Sequence, residues 1–73
     1  MQKLCLTDNC YNITKQLAKK LEFLYHVNKY IEDAKKAGDA KAETTWQAIR
    51  ADEQRHAGML RDLLIAEVTS NKL

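Results

Sequence analysis

Apolar positions recur at three- and four-residue intervals along two long stretches of the chain, and each stretch reads as an amphipathic helix. In the first, Ile13, Leu17, Leu21, Leu24, Val27, Asn28 and Ile31 share one side, widened by Phe23, Tyr30 and Ala34. Lys15, Lys19, Glu22, His26, Lys29, Asp33 and Lys36 share the other, which reads as a solvated face. In the second stretch, Ala42, Trp46, Ile49, Glu53, His56, Leu60, Leu63 and Leu64 fall within one arc when projected at about 100° per residue.

This pattern predicts a helix over about 13–37, a turn at 38–39 and a helix over about 40–68. Asn12 or Thr14 suits the start of the first helix, Gly38 the place just past its end, and Asp39 the N-cap of the second. Lys35 and Lys36 complement the negative end of the first helix. Residues 1–12 lack sustained periodicity and read as an N-terminal arm, with Thr7-Asp8-Asn9 as a turn; residues 69–73 read as a frayed tail. A connection this short forces the helices antiparallel, so the fold class is all-α, a two-helix hairpin.

Composition adds two things. The chain has 73 residues, no proline and only two glycines, so little interrupts helix, and a core this small is thin without a partner. Each helix of a lone hairpin would leave one apolar side wet, which predicts a homo-oligomer, at least a dimer closing a four-helix bundle. A charged fraction of 30%, a net charge of +2 and a pI near 8.6, with lysines interleaved among acids, give no basic patch for nucleic acid. No apolar run approaches the ~20 residues of a spanning helix, and the start lacks a signal-peptide core, so the expectation is a cytoplasmic protein with neither membrane nor nucleic-acid partner. Cys5 and Cys10 read as free thiols in a reducing compartment; a local disulfide, or a metal site completed by another protomer, stays open.

The chemistry concentrates at Glu53-x-x-His56. Three residues on a helix turn through about 300°, so the carboxylate and imidazole stand one turn apart on the same side, where they can grip one metal ion. Both lie among apolar residues, and a carboxylate on a core-facing stripe needs a cation or a hydrogen-bonding partner. Without a metal, the same pair serves as a hydrogen-bonded core histidine with its acid. Glu22-x-x-x-His26 is a weaker surface candidate, Tyr25 and Tyr30 read as packing residues, and Asn28 on the inner face is either a capped or water-bonded amide or one that fixes bundle register.

The run Ala-Asp-Glu53-Gln-Arg-His56-Ala-Gly-Met-Leu-Arg-Asp-Leu-Leu, after a first helix and a glycine-containing turn, resembles the ferritin-like superfamily, specifically its rubrerythrin-like and encapsulated-ferritin-like branches. The likeness spans about residues 14–66. It implies that two protomers complete a ferritin-like four-helix bundle and share a di-iron carboxylate site, Glu53 bridging and His56 a terminal ligand, within a homodimer or a larger shell. A third ligand belongs on the first helix. Glu22, 31 residues before Glu53, has the family's spacing but lies on the polar face; aligning the turn glycine without gaps puts Lys20 there instead. A Lys20–Glu53 ion pair would make the motif structural.

Two functions are therefore expected. One is an iron-binding protein oxidising Fe(II) with oxygen or peroxide, a ferroxidase or peroxidase type, with Glu53, His56 and Glu22 as metal ligands. The other is a non-catalytic helical assembly or adaptor domain that keeps the hairpin without a working metal site. The rubredoxin-type electron relay of the peroxidase-like rubrerythrins needs four cysteines, and with only Cys5 and Cys10 here it is expected to be absent, or at most formed between chains.

Overall fold

The computed structural model describes residues 5–73, and they form two antiparallel helices, α1 (Asp8–Lys36) and α2 (Ala40–Thr69), packed against each other along their length. No helix among the described residues is long and apolar enough to cross a membrane.

α1 begins five residues before the expected start. Thr7 is its N-cap, with Oγ1 accepting the Cys10 N–H at 3.1 Å, and Asp8 places an acid in the first turn. The cluster Thr7-Asp8-Asn9, expected to be a turn, is thus a helix start, and only residues 5–7 of the expected arm lie outside helix among the described residues. The extra turns matter because they deliver Cys10, which is fully buried and carries a free thiol, to the helix contact.

The hairpin turn does two jobs in three residues. Gly38, at φ 69°, takes the left-handed position that ends α1; its N–H donates to the Lys35 carbonyl and the Asp39 N–H to the Ala34 carbonyl, both at 3.0 Å. Asp39 then caps α2, Oδ1 accepting the Ala42 N–H at 2.9 Å. The far end repeats the device. Asn71 is left-handed at φ 54°, and the Asn71 and Lys72 N–H groups donate to the Val68 and Glu67 carbonyls. The expected frayed tail is instead pinned to the start of α1, through Thr7 N–H to the Leu73 carbonyl, Thr7 Oγ1 to the Lys72 carbonyl and the Asn9 amide to the Glu67 carboxylate.

Burial picks out a seam of strict three-four spacing on both helices. On α1 it runs Cys10, Ile13, Leu17, Lys20, Leu24, Val27, Ile31, Ala34; on α2 it runs Glu43, Trp46, Arg50, Glu53, Ala57, Leu60, Leu64, Glu67. Every one of these residues is buried or half-buried. A sustained 3.5-residue average is the signature of coiled-coil packing, here within one antiparallel hairpin. The expected core faces were rotated from this seam. Leu21, Asn28, Ile49 and Leu63 are exposed, while Arg50 and Ala57, absent from the expected faces, take inner positions beside Lys20, whose inward place the glycine alignment anticipated. Long polar chains reach such positions by laying their stems across the seam and holding their heads at its edge. Arg50 does so by donating from Nη1 to Asn28 Oδ1 at 2.7 Å, so Asn28 ties the helices together from the surface rather than from within.

Candidate functional site

Lys20 and Glu53 occupy seam positions on facing helices. Lys20 Nζ lies 3.4 Å from Glu53 Oε2, and the side chains are 30% and 18% exposed. One turn further along α2, His56 Nδ1 lies 2.8 Å from Glu53 Oε1. The carboxylate is therefore gripped at both oxygens, by an ammonium from α1 and an imidazole from its own helix.

The electrostatics follow from these contacts. The hydrogen bond from His56 is the largest influence holding the Glu53 carboxyl below the ordinary carboxylate range; partial burial opposes it, and the hydrogen bond and charge of Lys20 reinforce it. An ionised carboxylate only accepts, so Nδ1 carries a proton. On the other side of the ring, Arg55 Nη2 lies 3.4 Å from Nε2, a long contact in which the guanidinium can only donate. A neutral imidazole protonated at Nδ1 satisfies both neighbours at once. Arg55 was not among the residues expected at the site; its place next to His56 in the chain was the available signal.

Glu22 is not brought to this group. It is exposed and lines a shallow groove with Lys19, Phe23, His26 and Tyr30. Tyr25 is 84% exposed, with its ring edge-on to His26 at 5.2 Å, whereas Tyr30 packs against Trp46 and Phe23 with ring centroids 5.1 and 6.2 Å apart. Among the described residues, no three His, Cys, Asp or Glu side chains gather as a metal-holding group.

The donor set of one chain therefore does not fit the iron centre that the resemblance implies. Glu53 and His56 supply two ligands, their facing atoms are bonded to each other, and the nearest group from α1 is a cation. A protonated ammonium has no lone pair for a metal and adds a repelling charge beside it. No protein-family model, curated protein or solved structure matches this chain. The ferritin-like resemblance accordingly rests on the Glu53-x-x-His56 step and the hairpin around it.

Lys20–Glu53–His56 can do a different job. A polar group at a seam position costs stability but discriminates between registers, because sliding one helix by a turn would set Lys20 against Arg50 or Ala57 instead of Glu53.

Proposed function

We propose that this chain is a non-catalytic helical assembly module, in which the Glu53-x-x-His56 step is part of the seam's register lock. The observation that carries this reading is the 3.4 Å approach of Lys20 Nζ to Glu53 Oε2. The place from which a first-helix carboxylate would complete a metal site is taken by an ammonium, and the acid Glu22 lies in a separate groove. Long helices held at both ends by caps, a thin core and apolar side chains left outside the seam suit a module whose work is association.

A ligand that binds only the folded chain raises its melting temperature by mass action. Thermal unfolding with and without excess Fe(II) under anaerobic conditions, and with chelator, should give superimposable curves. A metal-dependent rise that is lost in His56→Ala overturns the reading.

One observation favours a second reading. His56 keeps 41% of its side chain exposed, beside Met59 and Leu63 on the open side of the hairpin. A second protomer on that side could add its own Glu53 and His56 to an iron shared between chains, as the resemblance implies, once Lys20 left the carboxylate. The melting experiment separates the two readings.

A further inference from the structure

α2 carries a second stripe of three-four spacing beside its seam, and among the described residues no further element packs over this one. Its middle is Ile49, Asp52, His56 and Met59; its ends are Ala42 and Thr45 on one side, Leu63 and Ala66 on the other. Ile49, Met59 and Leu63 are exposed, at 37%, 56% and 52%. The flank that α1 adds is aromatic towards the turn, where Phe23 and Tyr30 stack with Trp46. The opposite face of α2 presents Gln47, Gln54, Arg61 and Val68, which are mostly polar.

The stripe is complementary to itself when reversed. Laid antiparallel on a copy about an axis level with Gln54, Ile49 faces Met59, Ala42 faces Ala66, and Thr45 faces Leu63. At the centre, Asp52 faces His56, with Arg55 alongside. Ile49 meets Met59 and alanine meets alanine, Thr45 lies against Leu63, and each Asp52, 3.8 Å from Arg55 of its own chain, lies beside the other copy's His56, on both sides of the axis. Such an arrangement is what a two-fold interface requires, since each residue pair occurs twice with the roles exchanged.

Area points the same way. A compact monomer of 8.4 kDa exposes about 4,600 Å², whereas this chain exposes 5702 Å². The surplus, roughly 1,000 Å² on that scaling, is spread over an elongated hairpin of 50 × 25 × 13 Å and leaves room for the ~800 Å² that each partner buries in a stable dimer.

We infer that the partner of this face is a second copy of the chain, docked α2 against α2 in antiparallel register, with Asp52 of each copy against His56 of the other. The inference rests on the assembly reading above and names its partner.

Sedimentation of the full chain should give roughly twice the 8.4 kDa chain mass. Met59→Glu should raise the dimer dissociation constant by about tenfold or more while the circular dichroism stays helical. Register is read in a Cys5→Ser background: Ile49→Cys mixed with Met59→Cys should form a disulfide-linked dimer under mild oxidation, and neither variant alone should do so efficiently. A wild-type chain that stays monomeric at millimolar concentration overturns the inference, as does Ile49→Cys cross-linking to itself as fast as to Met59→Cys. A dimer that binds iron would remove the non-catalytic reading and keep this interface; a monomer without iron would do the reverse.

Discussion

Lys20 reaches across the seam from the first helix so that its ammonium lies 3.4 Å from Oε2 of Glu53, while His56 holds the other oxygen. The pair is half-wet, so its coupling should be modest, about 0.5–1 kcal/mol in a double-mutant cycle. Replacing both residues by leucine should leave the hairpin at least as stable as wild type, because apolar side chains fill seam positions without desolvating charge. Urea unfolding of Lys20→Leu, Glu53→Leu and the double variant, at one fixed chain concentration, measures both quantities.

Glu53 also makes stability depend on pH, with a definite sign. Its carboxyl titrates lower in the folded chain than in the unfolded one, chiefly because His56 donates to it. The contribution is therefore complete above the ordinary glutamate value, about 4.3, and is lost as the pH falls through the lower folded value. Unfolding free energies measured from pH 7 down to pH 3 should fall more steeply for wild type than for Glu53→Gln, and the two curves should converge at the acid end.

The two glycines should respond oppositely to alanine. Gly38 sits at φ 69°, where a Cβ is strained, so Gly38→Ala should cost about 1 kcal/mol. Gly58 lies inside α2 with nothing within 4 Å of an added Cβ, so Gly58→Ala should stabilise by about 0.5–1 kcal/mol through helix propensity and lost unfolded-state freedom. Thermal melts of the two single variants check the signs.

Thiol reactivity should report the early start of α1. Cys5 is exposed and Cys10 is fully buried in the seam, so a thiol reagent should modify one cysteine quickly and the second only on unfolding. Equal rates at both positions would mean that the first turns of α1 are open in solution.

The hairpin itself was legible in the chain: the absence of proline, the Gly38-Asp39 turn and two amphipathic stretches lead to antiparallel helices. Which residues face inward was less so, for a physical reason. Hydrophobicity marks Ile49 and Leu63 as core and Arg50 as surface, yet α2 has two stripes side by side, and the seam with α1 uses the one that carries Glu43, Arg50, Glu53 and Glu67 between its apolar residues. Counting apolar residues at about 100° per position blends the stripes; only the 3.5-residue repeat separates them. The helix start at Thr7 was hidden because a threonine followed by Asp-Asn satisfies a turn and an N-cap equally well. At the site, spacing alone put Glu53 beside His56, and alignment of the turn glycine placed Lys20 on the inner side. The alternative acid, Glu22, had the right distance along the chain and the wrong direction around the helix.

Iron stoichiometry tests the central claim most directly. The chain is loaded with Fe(II) under anaerobic conditions and desalted, and the metal retained per chain is counted for wild type and His56→Ala. With Lys20 paired to Glu53, both should retain only background metal. About one iron per wild-type chain, lost in His56→Ala, would contradict the account.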